Sequence, residues 1–213
     1  MKFTFKVENK NLPRREREKA KHRQEIFNAA IKVFARKGFY PATLEEVAKE
    51  AEFSKGAIYT YFSNKEDLLF QIMENKLGFI GDFIQDLLSC QKSFKEELMD
   101  LLIGTTELAA KNPDFCKLLM NQHAQHFKSM SDENKLKLKQ IHDKYHVILV
   151  KRIQKAMDDG EIKALPPDVI SEMIIGALNS IVNFHWHHGT LKKVTPNCRI
   201  FVELLFDGIA KKP

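Results

Sequence analysis

The sequence contains few of the residues that build cross-linked or metal-bound scaffolds. Only three of its 213 residues are cysteines, at positions 90, 116 and 198, and none belongs to a C-x-x-C pair. An odd number of widely separated cysteines predicts neither a disulfide framework nor a zinc knuckle. We therefore expect reduced thiols and a cytoplasmic protein.

Long apolar runs and familiar catalytic motifs are missing as well. No stretch of the sequence is long and apolar enough to span a bilayer, and no sustained apolar segment follows the charged N-terminus as a signal peptide requires. The sequence also lacks the G-x-S-x-G, H-E-x-x-H, G-x-x-x-x-G-K-[ST] and G-x-G-x-x-G patterns. We therefore expect no membrane partner, no cofactor and no enzymatic activity.

No segment of useful length alternates apolar and polar residues as a strand does, whereas apolar residues recur at helical spacing along most of the chain. This pattern predicts an all-α fold. The net charge of +6 and the pI of about 9.1 favour an anionic partner. Helices are predicted at about 23–37, as two short helices within 43–62, as a long helix after Lys65, and at about 94–111, 113–128, 131–159, 168–188 and 197–211.

The stretch 43–65 predicts two short helices joined by a tight turn. Thr43 and Glu46 have the spacing of a capping box at the start of the first helix. Ser54 is placed to cap the second helix, and Ser63 with Glu66 predicts the start of the next one. Two helices joined by such a turn form a helix-turn-helix unit, whose second helix enters the major groove of DNA.

The outward residues of the second helix suit DNA. Ile58 and Phe62, four residues apart, are predicted to face inward, which leaves polar and small residues outside. A lysine supplies charge, small residues let phosphates approach closely, and hydroxyls contact phosphates or base edges. The residues expected to face DNA are Lys55, Gly56, Ala57, Tyr59, Thr60 and Tyr61, with Lys65 beside a helix N-terminus suited to a phosphate.

The run IFNAAIKVFARKGFYPATLEEVAKEAEFSKGAIYTYFSNKEDL resembles the DNA-binding region of the tetracycline-repressor (TetR) family of bacterial transcription regulators. The motifs G-[FY]-x-x-[AT]-T, SKGAIYTYF and NKEDL carry the resemblance. Family members usually have glycine in the turn where this chain has Glu52, and a left-handed backbone there costs a non-glycine residue roughly 1 kcal/mol. We therefore expect a turn that is either slightly different or slightly strained. The resemblance implies that DNA is lined by Thr43, Ser54, Lys55, Gly56, Ala57, Tyr59, Thr60, Tyr61 and Lys65.

The N-terminal segment 1–22 carries an excess of positive charge and has two interpretations. In the first interpretation it is an arm that lies along phosphates or the adjacent minor groove, with Arg14 and Arg15 on the DNA. Alternatively, it is a solvated extension of the first helix, held by i,i+4 pairs such as Arg14 with Glu18.

The resemblance further implies a homodimer that binds a palindromic double-stranded operator. In the family, the last two helices of each subunit form the dimer interface, and a two-fold dimer presents its reading helices to half-sites roughly 34–36 Å apart. The chain is accordingly divided into a basic arm (1–22), a three-helix helix-turn-helix domain (23–67), and a larger helical domain for effector binding and dimerisation (68–213).

The C-terminal domains of the family usually bind a small effector. The sparsely polar interior of this chain favours an apolar one, such as an acyl chain, an aromatic compound or a drug. A cavity wall and a solid core are both open interpretations of the candidate lining residues. Those residues are Phe79, Phe83, Phe115, Leu119, Phe127, Met173, Ala177, Ile181 and Phe184. The resulting hypothesis is a repressor that a small apolar effector releases from its operator.

Two alternatives follow from other features. His123 with His126 and His142 with His146 have spacings that put two imidazoles on one helix face, which would suit a metal-responsive regulator, although surface or capping histidines have the same spacings. The departure from glycine at Glu52 would suit a small-molecule-binding protein whose helix-turn-helix unit no longer binds DNA.

Overall fold

A computed structural model of the chain describes residues 13–88, 92–120, 130–190 and 195–209. Within these ranges the secondary structure consists of α-helices, and no β-strand element occurs. The predicted all-α fold is confirmed. The helices are α1 (Arg14–Lys37), α2 (Leu44–Glu50), α3 (Lys55–Tyr59), α4 (Lys65–Leu87), α5 (Phe94–Lys111), α6 (Pro113–Met120), α7 (Asp132–Asp158), α8 (Pro167–His187) and α9 (Thr195–Ile209).

Helix α1 begins at Arg14, nine residues before the predicted start. Residues 14–22 therefore form its exposed first turns, as the second interpretation of this segment proposed, while residues 1–12 lie outside the described part of the chain. The ion pair between Arg14 Nε and Glu18 Oε1 is 2.9 Å long, and Lys21 pairs with Glu25 at 3.8 Å. Such i,i+4 pairs support helix without an apolar stripe, which is why the stripe alone placed the start too late.

Glycine ends two helices as predicted. Gly38 has a φ of 85°, and its N–H donates to the carbonyl of Phe34 at 2.8 Å. Gly160 has a φ of 76° and follows α7. Both backbones lie in the region that glycine reaches without steric penalty.

The predicted cap of α4 is displaced by one residue. Asn64, not Ser63, caps the helix, since its Oδ1 accepts from the N–H of Asp67 at 2.8 Å. The carboxylate of Asp67, rather than that of Glu66, returns to the N–H of Ser63 at 2.9 Å. The predicted pair, Ser63 with Glu66, and the observed pair, Asn64 with Asp67, have the same spacing and similar capping chemistry. The local sequence alone therefore does not decide between them.

Contacts divide the chain into two compact units: Met1–Phe79 with Asn112–Lys139, and Ile80–Lys111 with Gln140–Pro213. Helices α4 and α7 each contribute residues to both. The first unit contains the helix-turn-helix region, and Ile26, Val33, Ile58 and Phe62 lie in its core. The predicted boundary at residue 67 stays a prediction.

The core of the second unit encloses a buried ion pair. Arg152 Nε donates to Glu97 Oε2, and both side chains are buried. The guanidinium also donates to the carbonyl of Lys92 at 3.3 Å and lies over the ring of Phe94 at 5.1 Å. Arg152 also pairs with Glu161 at 3.5 Å, so loss of Arg152 would leave the buried Glu97 carboxylate without this partner, and the pair fixes α5 against α7.

Candidate nucleic-acid interface

Side-chain caps begin both helices of the helix-turn-helix unit. The hydroxyl of Thr43 accepts from the N–H of Glu46, whose carboxylate accepts from the N–H of Thr43, each at 3.2 Å. The hydroxyl of Ser54 accepts from the N–H of Ala57 at 3.2 Å. The two predicted caps are confirmed, and in the free protein both hydroxyls satisfy helix N-termini.

The turn between α2 and α3 forms a Schellman motif. Phe53 N–H donates to the carbonyl of Ala48 at 2.9 Å, and Glu52 N–H donates to that of Lys49 at 3.3 Å. Glu52 has a φ of 59°, and among the described residues it is the only non-glycine with a positive φ. It therefore occupies the position that glycine prefers. Of the two alternatives for this turn, the structure has the strained one, because Glu52 adopts the left-handed backbone at a steric cost.

Helix α3 separates a buried face from an exposed one. Ile58 is 0% exposed and Phe62 is 1% exposed, as predicted, whereas Tyr59 is 48% exposed. Lys55, Gly56 and Thr60 are also exposed, and Ala57 and Tyr61 are half-buried. The exposed face thus presents a cation, a gap without a side chain and two hydroxyl groups, which are the groups that a DNA reader needs.

Lys55 is held by an intramolecular counter-ion. Its ammonium contacts the carboxylate of Glu45 on α2, and both side chains are largely exposed. The hydrogen bond lowers the pKa of Glu45, and the carboxylate raises the pKa of Lys55. An exposed ion pair of this kind is weak, so a phosphate can replace the carboxylate at little cost.

The hydroxyls of the reading region differ in their existing partners. Thr60 Oγ1 donates to the carbonyl of Ala57 at 2.7 Å and keeps its oxygen lone pairs for another group. The Tyr61 hydroxyl lies 3.1 Å from His22 Nδ1 on α1. The His22 ring also packs against Phe53, with ring centroids 5.1 Å apart. Helix α1 therefore helps to hold both the turn before α3 and the residues that follow α3.

Lys65 is bound to the protein itself. Its ammonium donates to the main-chain carbonyls of Phe39, Tyr40 and Ala42 at 2.8, 2.9 and 2.8 Å. It also lies 4.6 Å from the centroid of the Phe39 ring. Its position at the start of α4 is as the sequence predicted, but its donors point at the connection between α1 and α2.

Arg14 and Arg15 lie at the exposed start of α1. His22, which reaches the reader, comes eight residues later, so at 1.5 Å per residue Arg14 lies about 12 Å farther along the helix axis. The two arginines are therefore not gathered with the residues of α3, and their contact with DNA stays a prediction.

The residues predicted to line an effector site fall in both compact units. Phe115 is 2% exposed in the first unit, whereas Met173 and Phe184 on α8 are 55% and 52% exposed in the second. In the single chain these two side chains face outward rather than into a core. Phe79, Phe115 and Leu119 belong to the first unit, Phe83, Met173, Ala177, Ile181 and Phe184 to the second, and Phe127 lies outside the described residues.

The histidines that suggested a metal site are placed separately. His146 Nε2 lies 3.3 Å from Glu172 Oε1, and His142 Nδ1 lies 3.9 Å from Asp143 Oδ1. In the part of the chain that the structure describes, no group of three or more histidine, cysteine, aspartate or glutamate side chains is arranged to hold a metal ion. His123 and His126 lie outside that part.

Sequence reasoning missed three contacts of the reading region. Glu45 as the partner of Lys55, His22 as the partner of Tyr61, and the three carbonyls around Lys65 all join residues that are at least ten positions apart. Capping and amphipathic patterns act over three or four residues and carry no signal for such pairs.

None of the described helices is long and apolar enough to cross a membrane. Two family models match the chain. The model of bacterial regulatory proteins of the tetR family matches residues 26–72, and that of the tetracyclin repressor-like C-terminal domain matches residues 91–209.

Individual relatives extend over both regions. The fatty acid metabolism regulator protein of Bacillus subtilis is 25% identical over 189 residues, which cover 88% of this chain and 95% of the relative. The uncharacterized HTH-type transcriptional regulator YvdT of the same species is 31% identical over 140 residues, covering 65% of this chain and 69% of YvdT. The crystal structure of FadR from Bacillus subtilis in complex with stearoyl-CoA has a TM-score of 0.74 at 24% identity, covering 85% of this chain and 96% of that one.

Proposed function

Because the chain belongs to the tetR family of bacterial regulatory proteins, whose models match both its N-terminal and its C-terminal regions, we propose that it represses transcription from a palindromic operator and leaves that operator when a fatty acyl-CoA binds. It is a ligand-responsive DNA-binding transcription regulator. The observation that carries the choice of effector is the relation to the fatty acid metabolism regulator over 95% of that protein's length.

The exposed face of α3 reads the operator in this proposal. Tyr59 and Thr60 direct hydroxyls toward base edges or phosphates, and Lys55 exchanges Glu45 for a phosphate. The gap at Gly56, where an added Cβ would meet nothing within 4 Å, leaves room for the DNA backbone. Thr43 and Ser54 act through the helix N-termini that they cap, since each end presents backbone N–H groups to a phosphate.

An apolar face on α8 and α9 supports the homodimer. Large apolar side chains on it are more than half exposed in the single chain. Val169 and Met173 on α8, and Ile200 and Leu204 on α9, are each four residues apart, as on one helix face. A contiguous exposed apolar surface of this kind marks an interface. A second copy would cover Val169, Met173, Phe184, Ile200 and Leu204 by two-fold packing of the last two helices.

An acyl-CoA combines two features that suit this chain. Its acyl chain is apolar, as the predicted lining is, and its phosphates are anionic, whereas the protein carries a net charge of +6. The related FadR structure contains stearoyl-CoA. The effector lining proposed here is limited to candidates of the second unit that are not on the apolar face, namely Phe83, Ala177 and Ile181.

Release follows from a shift of populations. The acyl-CoA binds a conformer of low DNA affinity better than the DNA-bound conformer, and α4, which runs from the first compact unit into the second, links the two by chain continuity. A coupling free energy of about 1–3 kcal/mol changes DNA affinity by roughly 5- to 150-fold, which is sufficient for a switch.

The test measures binding of the purified protein to the DNA upstream of its own gene and to a random duplex of equal length, over a range of salt concentrations. We expect tight, salt-sensitive binding of a dimer to the first duplex, and loss of it on addition of stearoyl-CoA but not of CoA or a chelator. Tyr59→Ala and Thr60→Ala should weaken operator binding selectively.

Three outcomes would oppose the proposal. Equal losses on operator and random DNA for both variants would refute the assignment of Tyr59 and Thr60 as readers. Tight stearoyl-CoA binding with no selective DNA binding would indicate a small-molecule-binding protein with a non-functional reader, and release by a chelator would indicate a metal-responsive regulator.

A further inference from the structure

The connection between α1 and α2 places the main-chain carbonyls of Phe39 and Ala42 in part-buried positions of the first unit. Phe39 and Ala42 are each 1% exposed, and residues 38–43 lie between helices without a helical hydrogen-bond ladder of their own. Buried carbonyls require donors, because an acceptor removed from water without a partner is strongly destabilising. Lys65 supplies them, although it is more than twenty residues away in the sequence.

We propose that Lys65 is a positioning residue that clamps the connection between α1 and α2 for DNA binding, and that it does not contact a phosphate itself. This inference rests on the proposed DNA-binding function. A lysine ammonium has three N–H donors and no acceptor. The carbonyls of Phe39, Tyr40 and Ala42 accept from it at 2.8–2.9 Å, so all three donors are in use.

The position of the ammonium is otherwise unfavourable. Lys65 is the first residue of α4, and the partial positive charge of a helix N-terminus repels a cation. The three carbonyl dipoles and the face of the Phe39 ring, 4.6 Å away, offset that repulsion. The side chain is therefore held by the connection and not by its own helix.

The clamp acts on side chains that precede the reader. Tyr40 is 53% exposed, and its own carbonyl is one of the three that Lys65 holds. Thr43, which caps α2, directly follows the clamped residue Ala42. Fixing the main chain at these carbonyls fixes where the exposed Tyr40 side chain can meet the DNA backbone, and contacts to phosphates set the register of a DNA-binding helix.

The test compares Lys65→Met, Lys65→Arg and the control Lys55→Met, each alone and combined with Tyr40→Phe. Lys65→Arg keeps the charge and the reach for a phosphate, but a planar guanidinium does not reproduce three converging donors. It also keeps the test open if Lys65→Met does not fold. Hydrogen exchange of the backbone amides in 39–43, which are those of residues 39, 40, 42 and 43 because Pro41 has none, is measured in the free protein. Operator binding is measured over a range of salt concentrations at a temperature where circular dichroism shows every variant to be folded.

Both Lys65 variants should speed exchange at residues 39–43 by about ten-fold or more. The slope of the logarithm of the binding constant against the logarithm of the salt concentration should decrease in magnitude by about 0.9 for Lys55→Met, as for one lost phosphate contact. For Lys65→Met it should decrease by less than half of that. Tyr40→Phe should weaken operator binding by about five-fold in the parent protein and by less than about two-fold in the Lys65→Arg background, since a hydroxyl that is no longer positioned has less to lose.

Three results would overturn the inference. One is a salt slope that falls for Lys65→Met as it does for Lys55→Met, with exchange unchanged. Another is near-parental operator affinity for Lys65→Arg, and the third is an equal effect of Tyr40→Phe in every background, which indicates a merely structural lysine. Absence of selective DNA binding by the parent protein would instead refute the proposed function, and exchange at 39–43 would still decide whether the clamp exists.

Discussion

Replacement of Glu52 by glycine should stabilise the protein. Glu52 has a φ of 59° and is the left-handed residue of the Schellman motif that ends α2. A left-handed backbone brings the Cβ of an L-residue too close to its own carbonyl region, which costs roughly 1–2 kcal/mol. Glycine has no Cβ and adopts this conformation without that penalty.

The expected gain is the difference between two effects. Relief of the steric penalty is opposed by the greater freedom of glycine in the unfolded chain, worth roughly 0.5–1 kcal/mol. The free energy of unfolding should therefore rise by about 1 kcal/mol. For a protein of 150–250 residues, this corresponds to a Tm higher by about 2–4 °C.

The matched control is Glu52→Ala, which removes the same carboxylate but keeps the Cβ. Urea denaturation followed by circular dichroism gives the free energy of unfolding of both variants and of the parent protein. Charge effects cancel in the difference between Glu52→Gly and Glu52→Ala, so that difference isolates the backbone. A Glu52→Gly protein no more stable than Glu52→Ala would refute the conclusion that Glu52 is strained.

Three further predictions follow from buried groups and from the exposed apolar face. Burial lowers the pKa of Lys76 from 10.5 to about 8, and at 1.36 kcal/mol per pKa unit this shift corresponds to about 3 kcal/mol. Lys76→Met should therefore raise the free energy of unfolding at pH 7 by up to about that amount. Between pH 8 and 10.5 the unfolded chain holds the proton that the folded chain has lost, so the stability of the parent protein rises with pH. The stability advantage of Lys76→Met should therefore disappear by about pH 10.5. An advantage that is independent of pH would contradict this prediction. Burial raises the pKa of the Cys116 thiol to about 12, so iodoacetamide at pH 8 should label Cys116 in urea but not in the folded protein, as peptide mass mapping would show. Leu204→Glu should convert the dimer to monomer in analytical ultracentrifugation, whereas Leu136→Glu, at another exposed apolar residue, should leave it a dimer.

Features that depend on neighbouring residues were predictable from the sequence. The caps at Thr43 and Ser54 and the glycine stop at Gly38 act over three or four residues, and each is present in the structure. The inward positions of Ile58 and Phe62 follow from helical spacing in the same way. Local hydrogen bonding and amphipathic spacing therefore account for most of the helix-turn-helix unit.

Predictions were less successful where two local signals compete or where the partner is distant. In the run Ser63–Asp67, either Ser63 or Asn64 has a carboxylate three residues later and can cap α4, and in the structure Asn64 is the cap. The start of α1 was placed late because its first turns carry ion pairs instead of an apolar stripe. The contact between His22 and Tyr61 joins residues 39 positions apart, so no periodicity reveals it.

Two lysines that are equivalent in the sequence prediction differ physically in the structure. Lys55 is paired with one exposed carboxylate, and exchanging that partner for a phosphate changes the free energy little. Withdrawing Lys65 would break three charge-assisted hydrogen bonds, two of them part-buried, which is a larger penalty. We therefore expect DNA to recruit the first ammonium and not the second, and the salt dependence of binding to be smaller than the number of basic residues near α3 suggests.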